Sequence, residues 1–342
     1  MNINKNNYDT CGYTGLTNLG NTCFLNSCLQ VLVHTPELHA IFNSNVKTLM
    51  QQNRAKPEAQ LLNEWKELAE LMWSGNGVVK PVKFVKKVHE VAQIKDVEIF
   101  TGWAQNDMTE FLRFLLDCFH TTIARPVSVN IKGKPKTEVD HVAVKCYNML
   151  KDIYSKEYSE IYNLFYGICV SEIVSKNGLE SLCPEPYVIL DLPITSQNLE
   201  ECIANYVKPE LLTGDNAWYN DKTKVKEEVQ KRLYFWNFPK ILIIALKRFV
   251  VQGRGIYRNN SMIQCPIDNL DLSQHVQGYD APNHKYELYG VSNHMGTPNG
   301  GHYTAYVKTG KGWIHYNDEG LSAIDASQVI SPNSYCLFYR RK

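Results

Sequence analysis

One cysteine of this chain stands where a thiol can be activated. Cys23 follows the turn-forming segment GLTNLGNT at 15–22 and opens an apolar stripe with helical spacing, which predicts a helix beginning near the cysteine. Free backbone N–H groups and the dipole at a helix N-terminus favour the thiolate, so we expect the pKa of Cys23 to lie below its ordinary value of about 8.5. The alternative, a small buried cysteine without chemistry, is common at such positions.

A nucleophilic thiol also needs a base and a group that orients the base. His302 follows two glycines and precedes a predicted strand, so a rigid element would hold its imidazole. Asn317 and Asp318 end the next predicted strand. Either side chain can cross the hairpin to the ring, because a neutral amide orients an imidazole as a carboxylate does. The residues alone leave that choice open.

The segments around both residues resemble those of a known protease family. The cysteine box of the ubiquitin-specific proteases is similar to residues 15–32, GLTNLGNTCFLNSCLQVL, and their histidine box is similar to residues 286–318, which include GGHYTAYV. Three further blocks resemble the family's in the same order: AQNDMTEFL at 104–112, FPKILIIALKRF at 238–249 and CPIDNLDLSQHV at 265–276. The resemblance runs from about residue 13 to the C-terminus.

The resemblance implies a deubiquitinase, which hydrolyses the isopeptide or peptide bond after the C-terminal glycine of ubiquitin through a thioester. It makes Cys23 the nucleophile and His302 the general base and then general acid. Asn317 matches the third member of the triad, and Asp318 matches a neighbour on which some relatives rely. Asn18 matches a residue whose amide helps to bind the oxyanion, and losing one such donor typically costs about 10²–10³ in turnover.

The resemblance also implies residues that bind the substrate. Gln105 and Asp107 are candidates to hold the C-terminal tail of ubiquitin, and Asp107 would meet its arginines. Asp107 is alternatively the N-cap of the next helix. Gly301 and Tyr303 match positions beside the narrow tail channel, and the loop at 292–301 matches a segment that borders or blocks it.

The order of elements predicts an α+β fold. Helical stripes are predicted at 25–32, 61–72, 84–91 and 111–118, and strands at 187–192, 241–246, 286–291, 302–307, 313–316 and 335–339. The resemblance implies a papain-like cysteine peptidase with a helical thumb at about 13–165. Fingers and an antiparallel palm sheet follow at about 166–342, and residues 1–12 are expected to form a polar tail.

Many relatives hold a structural zinc with two Cys-x-x-Cys pairs in the fingers, whereas none of the ten cysteines here forms such a pair. We therefore expect no metal and no cofactor. The fingers would be shortened or held by packing of Trp218, Tyr219 and Trp236.

Composition limits the partners. The formal charge is +1, which provides no general field for nucleic acid or an anionic membrane. The polar start and the short apolar run at 241–246 predict neither a signal peptide nor a membrane span. We expect a monomer in a reducing intracellular compartment, cytosol or nucleus, with ubiquitin and ubiquitinated proteins as partners.

Three alternatives remain open from the sequence. A protein of the same fold could bind ubiquitin without catalysis, although neither the nucleophile nor the base is lost. A Cys-His-Asn set also serves other papain-like thiol enzymes, such as acyltransferases. A ubiquitin-like modifier could replace ubiquitin.

Overall fold

The computed structural model describes residues 10–44, 46–298 and 300–342. Helices dominate the first half and strands the second, as the α+β pattern predicts. The helices are α1 Cys23–Val33, α2 Pro36–Asn43, α3 Lys47–Gln52, α4 Pro57–Ser74, α5 Val82–Ile94, α6 Met108–Ile123, α7 Glu138–Glu157, α8 Glu160–Phe165 and α9 Leu199–Tyr206. The strands are β1 Gly15–Leu16, β2 Val78–Val79, β3 Gly167–Ser175, β4 Gly178–Tyr187, β5 Ile189–Pro193, β6 Glu210–Leu212, β7 Trp218–Asn220, β8 Val225–Glu227, β9 Val229–Asn237, β10 Ile241–Lys247, β11 Phe249–Gln252, β12 Gly255–Arg258, β13 Leu270–Asp271, β14 Lys285–Thr297, β15 Gly300–Thr309, β16 Gly312–Asn317, β17 Gly320–Ile324 and β18 Ser334–Arg341.

The helix α1 lies between the thumb helices and the palm sheet. Every residue of α1 is buried, because one side packs against α6 and another against β15. Its polar side chains Asn26, Ser27 and Gln30 are therefore buried with the apolar ones, where each needs a hydrogen-bond partner. The thiol-bearing end of α1 is fixed from two directions at once.

The palm is one sheet with the strand order β17-β16-β15-β14-β18-β10-β5, and β13 pairs with β14 at one end. Each of the six predicted strands overlaps a strand of the structure. The apolar run in β10 is covered on both faces: Ile241, Ile243 and Ala245 pack into the thumb core, while Leu242 and Ile244 pack into the core on the opposite face. This explains its continuous rather than alternating hydrophobicity.

One pair in the palm departs from the expected antiparallel sheet. The strands β5 and β10 are parallel, because the chain between them crosses through α9 and the finger strands before it returns. Parallel neighbours need a long crossover of this kind. The other paired neighbours in the palm are antiparallel.

The fingers are a sheet with the order β4-β3-β9-β6 and a separate β7–β8 hairpin. Trp236 is buried against α7 with Ala143 and Cys146, as expected for fingers held by packing. Trp218 is half-buried. The expected burial of Tyr219 is wrong: it is 49% exposed, because successive side chains of a strand point to opposite faces and the covered face of β7 carries Trp218 and Asn220.

Further observations concern the cysteines, the helices and the N-terminal segment. All ten cysteines are free thiols. Within the described ranges, no helix is long and apolar enough to cross a membrane, and no cluster of three or more His, Cys, Asp or Glu side chains could hold a metal. Residues 1–9 of the predicted tail lie outside the described residues, whereas Gly12 is buried and its carbonyl accepts a hydrogen bond of 3.0 Å from Tyr316.

Candidate active site

The turn before Cys23 is organised by the Asn18 side chain. Its Oδ1 accepts hydrogen bonds from the backbone N–H groups of Gly20, at 3.0 Å, and Thr22, at 3.1 Å. Gly20 and Asn21 adopt positive φ angles of 106° and 57°, which suit glycine and asparagine. Cys23 is the first residue of α1, as predicted.

The strand that carries His302 packs directly against α1. Ser27 Oγ donates a hydrogen bond of 2.9 Å to the Thr304 carbonyl and lies 2.7 Å from Ser292 Oγ on β14. The backbone N–H of Tyr303 donates to the sulfur of Cys23. Tyr303 follows His302 directly, so the fold brings the two distant boxes together at the thiol.

The His302 ring is held by Asn317. The ring Nε2 lies 2.7 Å from Asn317 Oδ1, whereas the nearest oxygen of Asp318 is 4.0 Å away. Because Oδ1 can only accept, Nε2 carries the proton and Nδ1 keeps its lone pair. The hydrogen bonds of these described residues do not join His302 to Cys23. Such contacts are often long before substrate binds and tighten in the complex.

Asp318 instead supports the cysteine box. Its Oδ2 accepts a hydrogen bond of 3.0 Å from Asn18 Nδ2, and its Oδ1 accepts one of 2.8 Å from Asn26 Nδ2. Its backbone carbonyl accepts from the Leu16 N–H at 2.8 Å. The sequence analysis missed Asn26, although an asparagine inside the apolar stripe CFLNSCLQVL is a detectable signal.

The expected lowering of the Cys23 pKa is wrong for this structure. Burial raises the pKa of the Cys23 thiol, and the nearby Asp318 carboxylate raises it further. The N–H groups of Tyr303 and Phe24 act in the opposite direction but are outweighed. Cys23 is only 3% exposed, so removing water destabilises the thiolate more than the N–H groups at the helix start stabilise it.

This shift predicts the pH dependence of Cys23 alkylation in the unliganded protein. Since only the thiolate reacts, the rate with iodoacetamide should rise about tenfold per pH unit and keep rising past about pH 8.5, where a thiol of ordinary pKa begins to level off. Mass spectrometry of the Cys23 peptide measures it, with urea-unfolded protein as the control that shows the ordinary pKa. A rate that levels off below pH 7 would instead indicate a thiolate–imidazolium pair.

A cavity of about 260 Å³ leads to Cys23 between thumb and palm. Gln105, Asp107, Gly301 and Tyr303, the four predicted substrate-binding residues, all line it. The buried His294 lies in the same wall. The structure therefore gathers the predicted substrate-binding residues around one cavity that Cys23 also lines.

These four residues already have partners inside the protein. Gln105 Oε1 accepts from the Gly301 N–H at 2.8 Å, and this bond links thumb to palm across the cavity. Asp107 Oδ1 caps α6 through the N–H groups of Thr109 and Glu110, which confirms the predicted N-cap. Its Oδ2 accepts from the hydroxyls of Tyr303 and Tyr335.

The predicted loop at 292–301 is mostly a paired hairpin. Strand β14 continues to Thr297 and pairs with β15 from Gly300 onward; Asn299 lies outside the described residues. A Cβ added at Gly301 would lie 2.3 Å from the Met295 carbonyl oxygen and 2.6 Å from His294 Nε2. Only glycine fits between these two strands.

A thiol begins a buried helix and faces a strand whose histidine is held by an amide, which is the arrangement expected of a papain-like thiol hydrolase. Residues 14–339 match the family described as ubiquitin carboxyl-terminal hydrolase, and the chain belongs to this family.

Curated relatives support the assignment. Ubiquitin carboxyl-terminal hydrolase 2 of Bos taurus is 34% identical over 345 residues, which cover 96% of this chain and 55% of that protein. The chain thus spans about half the length of this relative. The Gallus gallus protein of the same name is also 34% identical, with 96% of this chain and 93% of that protein covered.

Solved structures show the same fold. The SAGA DUB module with Ubp8, Sgf11, Sus1 and Sgf73 bound to monoubiquitin contains a chain with a TM-score of 0.73 and 22% identity, covering 97% of this chain and 69% of that one. The module bound to ubiquitin aldehyde gives a TM-score of 0.72 at 23% identity, covering 97% of this chain and 70% of that one.

Proposed function

We propose that this protein is a cysteine-type deubiquitinase that hydrolyses the bond after the C-terminal glycine of ubiquitin. One observation carries the proposal: Cys23 lines the channel between thumb and palm, beside a strand whose His302 ring Nε2 lies 2.7 Å from Asn317 Oδ1. Membership of the ubiquitin carboxyl-terminal hydrolase family supports ubiquitin as the substrate.

The proposed reaction proceeds by acyl transfer in two stages. His302 Nδ1 takes the proton of Cys23, and the thiolate attacks the glycine carbonyl while Asn317 holds the ring. The same proton then passes to the leaving lysine amine, which leaves a thioester on Cys23. In the second stage His302 activates a water that hydrolyses the thioester, and the thiol is restored.

The oxyanion would be held beside Cys23. Asn18 Nδ2 has two hydrogens and gives one to Asp318, so the other is free to donate to the oxyanion. The backbone N–H groups at the start of α1 add donors from the same side. Asp318 acts in this proposal by fixing Asn18 rather than by orienting His302.

The channel residues would hold the ubiquitin tail in an extended form. The tail would displace the hydrogen bond between Gln105 and Gly301 and take over both groups. The roughly four lone-pair sites of the Asp107 carboxylate are already used by its cap and the two tyrosine hydroxyls. An arginine of the tail would therefore displace one of these donors to form a charge-assisted hydrogen bond with Asp107. Tyr303 would form part of the channel wall, because it lines the cavity and is buried.

A ubiquitin with a C-terminal electrophile tests the function. We expect covalent capture by the wild type and none by Cys23→Ala. Cys183→Ala is the matched control, since Cys183 is an exposed thiol in the fingers, and it should be captured like the wild type. Binding without capture would indicate an inactive ubiquitin reader, and capture only by a probe built on another modifier would redirect the substrate. Capture without hydrolysis of conjugates would favour an acyltransferase.

We further infer a catalytic domain at 13–342, with the thumb at about 13–165 and the fingers and palm at about 166–342. The division follows the change from helices to strands after α8. Ten free thiols support a reducing compartment, cytosol or nucleus. We infer a monomer that acts without a cofactor on ubiquitinated proteins.

A further inference from the structure

Asn26 is a buried polar residue that the reaction above does not use. It lies one turn after Cys23 on α1 and is only 2% exposed. Its Oδ1 is buried and has no hydrogen-bond partner. An unsatisfied buried oxygen is costly, so a purely structural position would favour an apolar side chain. We therefore look to the contacts of Asn26 Nδ2 for the reason that an asparagine stands here.

The neighbours of Asn26 Nδ2 are all acceptors. It donates to Asp318 Oδ1 at 2.8 Å and lies 3.3 Å from the Leu16 carbonyl oxygen and 3.5 Å from that of Thr17. A rotated amide would place its oxygen against these three oxygens, so the orientation is fixed. Asn26 therefore joins α1 to the cysteine box and to the end of β16.

The Asp318 carboxylate depends on amide donors. Asn18 and Asn26 each donate to one of its oxygens. Among the ion pairs of the described residues, Asp318 takes part in one, with His302 at 4.0 Å. Without Asn26, one oxygen would lose its donor and the carboxylate would be free to turn toward the imidazole.

We propose that Asn26 is a positioning residue that fixes Asp318 and, through it, the oxyanion-binding amide of Asn18. The amide plane of Asn18 is set at both ends: Gly20 and Thr22 hold its oxygen, and Asp318 holds its nitrogen. Asn26 sets the Asp318 carboxylate, so the remaining Asn18 hydrogen points in one direction. This inference rests on the proposed function and extends it to a residue that does not touch substrate.

The variant Asn26→Asp tests the hydrogen bond with little change in shape. Two carboxylates 2.8 Å apart hold a proton between them at low pH and repel one another once both are ionised. We expect kcat to be close to wild type near pH 6 and to fall with rising pH, toward the roughly 10²–10³-fold loss that removal of one oxyanion donor causes. KM should stay unchanged.

Exchanging the amide and the carboxylate between positions 26 and 318 should restore part of the lost kcat. In N26D/D318N the amide at position 318 donates to the carboxylate at position 26, and its oxygen accepts from Asn18. Both hydrogen bonds of residue 318 are rebuilt, while the carboxylate at position 26 still faces the carbonyl oxygens of Leu16 and Thr17. The recovery of kcat at pH 8 should therefore be partial but at least about tenfold over N26D alone, a coupling that independent sites do not show. If N26D keeps wild-type kcat at pH 8, or if D318N adds a further loss, the proposal is overturned.

Gln30 offers a matched control on the same helix. It is also a buried amide with an unsatisfied oxygen, and its nitrogen donates to the Thr14 carbonyl at 2.8 Å, away from Asp318. Gln30→Glu should lower thermal stability as N26D does but leave kcat and its pH profile unchanged. If N26D does not fold, Asn26→Ala should lower kcat at every pH with KM unchanged.

A second readout separates this inference from the proposed function. The side-chain amide signals of Asn18, assigned by their loss in Asn18→Ala, are measured by NMR without any substrate. We expect them to shift with pH in N26D and to return in N26D/D318N. A wild type that fails to hydrolyse ubiquitin conjugates would overturn the proposed function, whereas unshifted Asn18 signals in N26D would overturn the role of Asn26.

Discussion

His302→Ala is expected to lower kcat on ubiquitin conjugates by roughly 10⁴-fold or more, the scale seen when a base that activates a nucleophile is removed. The thiol is buried and its pKa is raised, so at neutral pH it would remain protonated without a base. KM should change little, because in the proposed reaction His302 transfers protons to and from the thiol and the leaving amine and does not hold the ubiquitin tail. Steady-state kinetics on a ubiquitin conjugate, compared with the wild type, measure the loss.

The variant has a characteristic pH profile. Part of its activity should return as the pH rises above the pKa of the thiol, since the thiolate then forms without the imidazole. His141→Ala is the matched control, because His141 is exposed on α7, and it should keep wild-type kcat. A His302→Ala enzyme that retains a tenth of wild-type kcat at pH 7 would mean that another group is the base.

Gly301→Ala is expected to lower kcat/KM by roughly 10²-fold or more, the cost of a displacement of about 1 Å at a catalytic group. The added Cβ would meet the Met295 carbonyl oxygen and the His294 ring. Neither can move away easily, because one is backbone in a paired strand and the other is a buried ring. The strand must shift, and His302 is the next residue along it.

Gly75→Ala is the matched control, since nothing lies within 4 Å of a Cβ added at Gly75. It should keep wild-type kcat/KM. Circular dichroism and a thermal melt would check that both variants fold. A folded Gly301→Ala enzyme with wild-type kcat/KM would show that the hairpin adapts without moving the histidine.

Local patterns predicted much of the scaffold. The helical stripe after Cys23 predicted α1, and short β-branched and aromatic runs predicted the palm strands, because side-chain periodicity reports which face of an element is buried. The sequence of β10 did not reveal its parallel partner β5. That pairing depends on the path of a long crossover, which leaves no periodic signal in either strand.

The amino-acid sequence by itself determined which residues this protein has for its chemistry: a cysteine at a helix start, a histidine after two glycines, and an Asn-Asp pair at a strand end. Their types and local settings follow from short-range rules of turns, caps and strands. The four predicted channel residues could likewise be named in advance, although only the fold shows that Gln105 and Gly301 bond to each other.

Only the tertiary structure decided which polar side chain of the site hydrogen-bonds to which partner. Asn317 reaches His302, while Asp318 turns to Asn18 and Asn26, although the two residues are adjacent in the chain. Burial also reversed the expected shift of the Cys23 pKa. The choice of partners depends on distances of a few ångströms between segments far apart in the chain, and the pKa shift depends on how much water the packed segments exclude. Local sequence patterns report neither quantity.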